Sequence, residues 1–376
     1  MDGLASLFSN VLNLNIKQVI MWIIGGILIY LAIKKKMEPT LLLPIGFGAI
    51  LVNLPLSGAI TQKVGEIIQE GPISILFEKG IANELFPLLL FVGIGAMIDF
   101  GPLLSNPKLM IFGAAAQFGI FFTLSMASLF GFELKDAASI AIIGAADGPT
   151  SIFVANYFDT KYIGAIIVAA YSYMALVPIV QPPVIKLLTT KKERKIRMEY
   201  KAGNVSKTAK IIFPIFVTIL TGLVAPNAVA LIGFLMFGNL IRECGVLDSL
   251  SQTAQSVLSN LITLFLGITI AEKMQADAFL DPTTLLILGL GLVAFVFDTA
   301  GGVLFAKLLN LFLKKKVNPM IGAAGISAFP MSGRIIHKMG LQEDNQNFLL
   351  MHSMGVNVSG QIASVVAGGL MLSFFL

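Results

Sequence analysis

Long apolar stretches separated by short polar loops dominate the pattern of this chain. A helix of about 20 mostly apolar residues crosses the ~30 Å hydrocarbon layer of a bilayer. The pattern therefore predicts an all-α polytopic membrane protein with about ten transmembrane helices. The predicted spans are 16–33, 40–56, 84–99, 108–131, 162–189, 208–224, 228–241, 255–272, 282–313 and 346–374.

The composition excludes several classes of protein. Of the 376 residues, 56% are hydrophobic and 12% are charged, and the mean hydropathy is +0.87. A soluble fold of this size could neither hide so much apolar surface nor coat its exterior with so few polar residues. A soluble enzyme, a nucleic-acid-binding module and a disordered chain are therefore excluded, and no nucleic-acid partner is expected. With one Cys and two His, the sequence offers no disulfide framework or Cys-based metal site and little basis for zinc or haem.

Basic residues gather at a few of the predicted loops and indicate the orientation of the chain. Cytoplasmic loops of membrane proteins carry an excess of Lys and Arg. Three lysines (34–36) follow the first span, Arg242 follows the seventh, and three more lysines (314–316) follow the ninth. The stretch 190–207 contributes Lys191, Lys192, Arg194, Lys195, Arg197, Lys201 and Lys207. These ends are expected in the cytoplasm, and both chain termini are expected outside.

The two halves of the sequence resemble each other weakly. Six short matches occur in the same order at offsets between 174 and 187 residues; for example, Gly-Ala-Ala at 144–146 matches 322–324, and Gln181 matches Gln361. The first span has its basic cluster at its C-terminal end, whereas its counterpart, 208–224, has one at its N-terminal end. The halves are therefore expected to run in opposite directions, as in many ion transporters. Five spans per half require that 136–157 and 318–338 form broken-helix hairpins. The predicted domains are a first inverted repeat (1–190), a basic cytoplasmic linker (191–207) and a second inverted repeat (208–376).

Two segments combine helix-breaking residues with polar side chains at membrane depth. The first reads IGAADGPTS over 143–151, and the second reads NPMIGAAGISAFPMSGR over 318–334. Gly and Pro at this density break a helix, and non-helical backbone inside a membrane must lie within protein or against a water-filled cavity. Asp147 adds a carboxylate, which suits a small hard cation such as sodium or a proton rather than a transition metal. Neutral oxygens that could assist it belong to Thr150, Ser151, Asn318, Ser327 and Ser332.

Plainer explanations of these residues remain open at the level of sequence. The Gly and Pro residues could mark simple kinks, and Asp147 could pair with a Lys or Arg for packing. Arg334 could reach the cytoplasmic surface, or it could act as a bidentate fork for a carboxylate that arrives from that side. Tyr173 could be a packing residue, or it could donate a proton near Asp147.

The last two long spans contain further polar residues. Asp298 and Lys307 lie in 282–313. Asn357, Ser359 and Gln361 lie in the final span, where such side chains commonly join helices. The first two could also reach an ion held at Asp147.

The two broken segments resemble those of the β subunit of the sodium-pumping biotin-dependent decarboxylases. That family includes oxaloacetate, methylmalonyl-CoA, glutaconyl-CoA and malonate decarboxylases. The resemblance rests on GAADGPT at 144–150, on residues 318–334 and on NVSGQ at 357–361, and it covers essentially the whole chain. It places the functional aspartate of the family on Asp147 and its tyrosine on Tyr173. Its asparagine, glycine, serine and arginine fall on Asn318, Gly322, Ser327 and Arg334.

The resemblance implies a task for the chain. A soluble carboxyltransferase α subunit moves a carboxyl group onto biotin, which is held by a separate biotin carrier subunit. This chain then decarboxylates the carboxybiotin and couples that reaction to sodium export and proton consumption. Carboxybiotin is supplied by the partner; no cofactor is expected to be covalently bound here, and the sequence contains no Met-Lys-Met biotin site. The expected setting is a bacterial inner membrane, with the lipid bilayer, a small membrane assembly subunit and further copies of the chain as partners.

The resemblance and the residue chemistry together assign expected roles. Asp147, Tyr173 and Arg334 are expected to be catalytic, with Tyr173 or Asp147 delivering the proton to the biotin nitrogen. Arg334 and Ser332 are expected to bind carboxybiotin. The expected sodium-binding residues are Asp147, Asn318, Gly322, Ser327, Asn357 and Ser359, of which Asp147, Asn318 and Ser327 contact the ion as ligands.

Two other functions fit parts of the pattern. A sodium- or proton-coupled secondary carrier of an organic anion would use the same inverted repeats and broken helices. A scaffold that anchors a soluble enzyme would need neither a buried Asp147 nor Arg334. Copurification with a biotinylated protein would separate a decarboxylase subunit from a carrier.

Overall fold

The structure is a computed structural model that describes residues 13–64, 67–200, 203 and 205–375. The first 12 residues of the predicted first repeat and Lys201 of the predicted basic linker lie outside the described residues.

Helices make up most of the first half, as the sequence predicts. They are α1 (Ile16–Lys34), α2 (Pro39–Val52), α3 (Pro72–Leu76), α4 (Leu85–Met97), α5 (Gly101–Ser105), α6 (Met110–Ala116), α7 (Phe118–Leu129), α8 (Leu134–Ala141), α9 (Gly148–Tyr157) and α10 (Ile163–Leu188). Short 3-10 segments cover Pro107–Leu109 and Ile142–Ala145, and a π-helical segment covers Phe77–Ala82. The loop after α2 contains two strands that the sequence analysis did not predict, β1 (Gln62–Val64) and β2 (Ile67–Gln69), which pair antiparallel.

The second half repeats this helical character. Its helices are α11 (Lys191–Arg194), α12 (Lys207–Val224), α13 (Val229–Glu243), α14 (Asp248–Thr253), α15 (Ser259–Ile270), α16 (Ala276–Phe279), α17 (Pro282–Phe312), α18 (Met331–Glu343) and α19 (Leu350–Phe374). The 3-10 segments are Pro226–Ala228, Ala271–Met274 and Pro319–Gly325, and a π-helical segment covers Ala254–Leu258.

Several helices are long and apolar enough to cross a membrane, so the chain is a helical polytopic membrane protein. In the described part of the chain there are seven: Ile16–Lys34, Pro107–Leu129, Ile163–Leu188, Lys207–Val224, Asp248–Met274, Pro282–Phe312 and Leu350–Phe374. An eighth results if Pro72–Ala82 and Leu85–Met97, which meet at a 61° bend, form one span. The apolar α2 has 14 residues and α13 has 15. Because these two helices are short, the total of ten spans stays a prediction.

Both predicted broken segments are hairpins of two short helices. Hairpin 1 comprises α8, the 3-10 segment at 142–145 and α9; hairpin 2 comprises the 3-10 segment at 319–325 and α18. At the base of hairpin 1, the Thr160 hydroxyl donates to the Asp136 carboxylate. At the base of hairpin 2, both ends contact Arg194 of the linker. The Asn318 amide donates to the Arg194 carbonyl at 2.9 Å, and the Arg194 guanidinium donates to the Glu343 carboxylate at 2.7 Å. The two ends of each segment therefore lie close together, which supports the predicted hairpins.

Each helix pair across the two halves has a counterpart with the roles of the halves exchanged. In the predicted repeat, α2 corresponds to α13 and α4 to α15; α4 packs against α13, and α2 packs against α15. Likewise α6 corresponds to α17 and α10 to α19; α10 packs against α17, and α6 packs against α19. Two halves related by a pseudo-twofold axis would exchange partners in this way. The exchange supports the inverted repeat, which remains a proposal.

We predict that Arg194 anchors hairpin 2 to the linker. Its side chain is 6% exposed and joins Glu343 to the carbonyl of Thr189. Arg194→Met is expected to cost about 3 kcal/mol of folding free energy, because it leaves a mostly buried carboxylate unpaired. The measurement is the apparent Tm of the purified protein in detergent. Arg197→Met, which breaks the more exposed pair with Asp344, is the matched control; equal shifts in Tm for both variants would contradict the anchoring role.

Candidate functional site

Asp147 lies at the tip of hairpin 1 because the local sequence reverses the backbone there. Ala146 adopts a left-handed conformation with φ of 52°, and Pro149 lies in the first turn of α9. Asp147 is the N-cap of α9, and its Oδ1 accepts the backbone N–H of Thr150 at 3.3 Å. The carboxylate therefore lies at the N-terminus of α9, where it satisfies a backbone N–H of the first turn.

The second carboxylate oxygen of Asp147 is surrounded by neutral donors. Its Oδ2 accepts from the Thr150 hydroxyl at 2.8 Å, from the Gln361 amide at 3.0 Å and from the Ser364 hydroxyl at 3.0 Å. Asp147 is 3% exposed, so its carboxylate is shielded from solvent. These contacts do not support the alternative in which Asp147 pairs with a Lys or Arg for packing. A carboxylate held by neutral groups at this depth is costly and indicates function.

One face of α19 supplies polar groups to both hairpin tips. Asn357, Gln361 and Ser364 follow the i, i+4, i+7 spacing of a single helix face. The Asn357 amide donates to the carbonyls of Ala324 at 3.1 Å and Ile326 at 2.7 Å, in hairpin 2. Its own Oδ1 is buried and has no partner among the described residues.

The two hairpin tips meet beside this face. The N–H of Ser327 donates to the carbonyl of Ala145 at 2.9 Å, and its hydroxyl donates to the carbonyl of Gly360 at 3.1 Å. A Cβ added to Gly360 would lie 2.1 Å from the carbonyl oxygen of Gly325, so this close approach requires glycine. We call the polar groups at this junction the tip cluster; its members are Asp147, Thr150, Ser327, Asn357, Gln361 and Ser364.

The tip cluster can serve as a site for a small hard cation. It offers one carboxylate and several hydroxyl and amide groups, each of which can present an oxygen after rotation. Oxygen ligands of this kind suit sodium. A proton on Asp147 would satisfy the same charge requirement, so the chemistry allows either cation to neutralise the site.

Asn318 is not part of the tip cluster. Its amide donates to the carbonyls of Arg194 and Ile196 at 2.9 Å, and its Oδ1 caps the N–H of Met320. The seven-residue 3-10 segment that separates it from the tip spans roughly 14 Å at about 2 Å per residue. Oxygens that share one hard cation lie within roughly 5 Å of each other. The structure therefore does not bring Asn318 to Asp147.

Gly322 and Ser359, also expected around sodium, make packing contacts. A Cβ on Gly322 would lie 2.0 Å from the carbonyl oxygen of Gly302, so hairpin 2 approaches α17 closely at this point. The Ser359 hydroxyl donates to the carbonyls of Leu109 and Val356. Both residues thus hold neighbouring backbones together.

The two residues expected to bind carboxybiotin lie in different surroundings. Ser332 is fully buried and exchanges hydrogen bonds with Gln181 at 2.8 and 3.0 Å. Arg334 is exposed two residues later, because residues two apart on a helix point about 200° apart. Burial raises the pKa of Glu38, before α2, and the positive charge of Arg334 lowers it in part. Arg334 therefore lies near the basic end of α1, which the charge pattern predicts to be cytoplasmic.

Two tyrosines of α10 flank hairpin 1 differently. The hydroxyl of Tyr173 donates to the carbonyl of Leu288 in α17. The Tyr171 ring lies against Gly148, next to Asp147, and its hydroxyl has no partner among the described residues. The structure thus places Tyr171 at the tip of hairpin 1 and joins the expected proton donor, Tyr173, to α17.

Two members of the tip cluster do not follow from the sequence. The sequence pattern assigns Gln361 to the joining of helices and gives no role to Ser364. The signal for Ser364 was its helical spacing from Asn357 and Gln361. Nothing local to the sequence could have identified Gln361 as a partner of Asp147, since the two lie 214 residues apart.

Comparisons with known proteins agree with the geometry. Residues 17–375 match the family model described as the Na+-transporting oxaloacetate decarboxylase beta subunit. The methylmalonyl-CoA decarboxylase subunit beta of Propionigenium modestum is 49% identical over 96% of each chain. That of Veillonella parvula is 50% identical over 94% of this chain and 92% of its own. The oxaloacetate decarboxylase beta chain of Klebsiella pneumoniae is 44% identical over 97% of this chain and 96% of its own. The chain therefore belongs to the family of Na+-transporting oxaloacetate decarboxylase beta subunits.

Proposed function

We propose that the chain is the membrane subunit of a sodium-translocating decarboxylase. It decarboxylates carboxybiotin presented by a partner subunit and couples this reaction to sodium export with proton consumption. The observation that carries the proposal is the buried Asp147 carboxylate, held by neutral groups where two broken hairpins meet.

The chemical step requires a proton. The bond between the carboxyl carbon and the ureido nitrogen of carboxybiotin breaks, and CO2 leaves. The nitrogen keeps the electron pair and takes one proton, which restores biotin. Asp147 and Tyr173 are the candidate donors, and Tyr171 lies nearest to the tip of hairpin 1.

Sodium and the proton would share the charge of Asp147. A bare carboxylate costs several kcal/mol to carry through a dry barrier. A sodium ion or a proton removes that charge, so only an occupied site moves readily between the two faces. Sodium would leave outward and a proton would enter, which ties ion movement to the proton that decarboxylation consumes.

The neutral partners of Asp147 suggest how the site changes on binding. Gln361 donates its amide N–H to the carboxylate in this conformation, whereas its Oε1 would face a bound sodium ion after rotation of the amide. Thr150 and Ser364 would turn their hydroxyl hydrogens away in the same way. With Asn357, whose Oδ1 has no partner in the described part of the chain, these groups would complete the ligand set from the tip cluster.

Carboxybiotin would approach from the cytoplasmic side. Arg334 is exposed there, and a guanidinium can hold a carboxylate or the ureido oxygen in a fork. We propose that a biotin carrier subunit delivers the group and that a carboxyltransferase α subunit loads it. A small membrane subunit and further copies of this chain would complete the assembly in a bacterial inner membrane. The relatives act, by name, on oxaloacetate or methylmalonyl-CoA, so the carboxyltransferase would determine the acid.

The first prediction concerns the charge of Asp147. Asp147→Asn is expected to lower sodium-dependent turnover about 100-fold, because losing the charged ligand costs about 3 kcal/mol or more of ion binding. The measurement is sodium uptake by proteoliposomes that contain the whole complex. Asp277→Asn, at an exposed carboxylate paired with Lys17, is the control and should leave uptake intact. Sodium-dependent turnover at the wild-type level in Asp147→Asn would overturn the assignment.

The second prediction concerns competition between protons and sodium. Lowering the pH protonates Asp147 more often, so the sodium concentration for half-maximal turnover should rise as pH falls. If the two cations compete directly at one carboxylate, this half-maximal sodium concentration can rise up to about tenfold for each pH unit of acidification. The measurement is a set of sodium activation curves at several pH values. A half-maximal concentration that does not change with pH would show that the two cations use separate sites.

The third prediction concerns Arg334. Arg334→Lys should raise the KM for free carboxybiotin about tenfold, because a point charge does not replace a bidentate fork. Lys338→Ala, at an exposed position on the same helix, is the control. If Arg334→Lys keeps the wild-type KM, Arg334 only holds the helix at the membrane surface.

A further inference from the structure

A second buried carboxylate, Asp298 in α17, has no role in the mechanism above. Asp298 is fully buried, and its Oδ1 accepts the backbone N–H of Ile120 at 3.1 Å. This bond satisfies one of the two carboxylate oxygens, and the burial of the other oxygen needs a separate explanation.

The bonded oxygen, Oδ1, lies at the break between α6 and α7. The helix stops at Gln117 and restarts at Phe118, so Ile120 lies in the first turn of α7. The N–H of Ile120 is shared, since it donates to the carbonyl of Gln117 at 3.1 Å and to Oδ1 of Asp298 at the same distance. Asp298 therefore supports this turn from another helix, much as an N-cap side chain does within one.

The remaining oxygen, Oδ2, is buried and has no hydrogen-bond partner among the described residues. It faces hairpin 1, because a Cβ added to Gly144 would lie 2.6 Å from it. Gly144 precedes Asp147 by three residues. A charged oxygen without a partner in this setting would cost several kcal/mol, so a positive species must satisfy it.

In the part of the chain that the structure describes, further oxygens lie around Asp298 and no Lys or Arg bonds to it. The hydroxyls of Thr299 and of Thr123, three residues after Ile120, are also buried without partners among the described residues. Helices α6 and α7 and the 3-10 segments 142–145 and 319–325 contain no titratable residue. The other elements packed against α17 are α8, α10 and α16; their titratable residues are Lys135, Asp136, Tyr171, Tyr173, Lys186 and Asp277.

We propose that Asp298 is a second site for a monovalent cation, either sodium or a proton, in addition to the site at Asp147. The proposal rests on the function proposed above. Helix α17 contacts hairpin 1 at Gly144 and hairpin 2 through Gly302 and Gly322. A cation at Asp298 would therefore lie against hairpin 1, on the same helix that hairpin 2 approaches, and its occupancy would change with the position of the hairpins.

Asp298→Asn separates this role from capping. The variant keeps an oxygen that can accept the N–H of Ile120, and it removes the charge. The experiment uses the whole complex in proteoliposomes and measures sodium transported per carboxyl group released, together with the pH profile of turnover. Thr269→Val is the matched control, because Thr269 is another buried hydroxyl without a partner among the described residues, in a different span.

Sodium and a proton at Asp298 lead to different results for Asp298→Asn, which is compared with the wild-type complex. If the cation is sodium, the ratio of sodium to carboxyl should fall by about half in Asp298→Asn, from two sites to one. If the cation is a proton, the ratio should stay constant and the pH profile should shift. Wild-type values for both in Asp298→Asn would overturn the proposal and leave Asp298 as a cap alone. Failure of the wild-type complex to take up sodium would instead count against the function proposed above.

A chemical measurement covers the case in which Asp298→Asn does not assemble. A hydrophobic carbodiimide modifies protonated buried carboxyl groups, and mass spectrometry locates the product. Asp298 in the wild-type complex should be modified at low sodium and protected either by sodium or by raised pH. An unmodified Asp298, or modification that neither sodium nor pH changes, would overturn the proposal.

Discussion

The structure depends on one constraint: a carboxylate within a membrane must always have its charge satisfied. At Asp147, the end of α9, two hydroxyls and an amide do this without any cationic side chain. Such neutral groups can rotate to coordinate a small cation beside the carboxylate, whereas a Lys or Arg partner would compete with the cation. The absence of a cationic partner in the described part of the chain is what makes the site suitable for exchange rather than for permanent pairing.

The broken helices follow from the same constraint. A continuous helix would use every backbone carbonyl and N–H internally. The breaks at the two hairpin tips release such groups, and the tips satisfy part of them in each other, as Ser327 and Ala145 do. In the proposed inverted repeat the two hairpins enter from opposite sides, so this contact would lie between the two faces of the membrane. The base of hairpin 2 is tied to the predicted linker through Asn318 and Arg194.

Much of the fold could be predicted from the sequence, because apolar length and local breakers determine it. The predicted span 282–313 corresponds to the helix Pro282–Phe312. Asp281 caps the N-terminus of this helix, and Pro282 is its first residue. The break between α6 and α7 could not be predicted, since Gln117 and Phe118 are not breakers. The groups that bond there, the carboxylate of Asp298 and the carbonyl of Gly325, lie far along the chain. The site follows the same rule. Asp147 was predictable as a charge at membrane depth, whereas the separation of Asn318 from it depends on how hairpin 2 folds.

The central claim is that carboxybiotin decarboxylation drives sodium through this chain. The most direct measurement is uptake of labelled sodium by proteoliposomes that contain the purified complex, after addition of free carboxybiotin. The account predicts uptake that begins with carboxybiotin, stops when it is consumed and leaves one proton taken up per CO2 released. Release of CO2 at the full rate without sodium movement, in sealed vesicles that retain sodium, would contradict it.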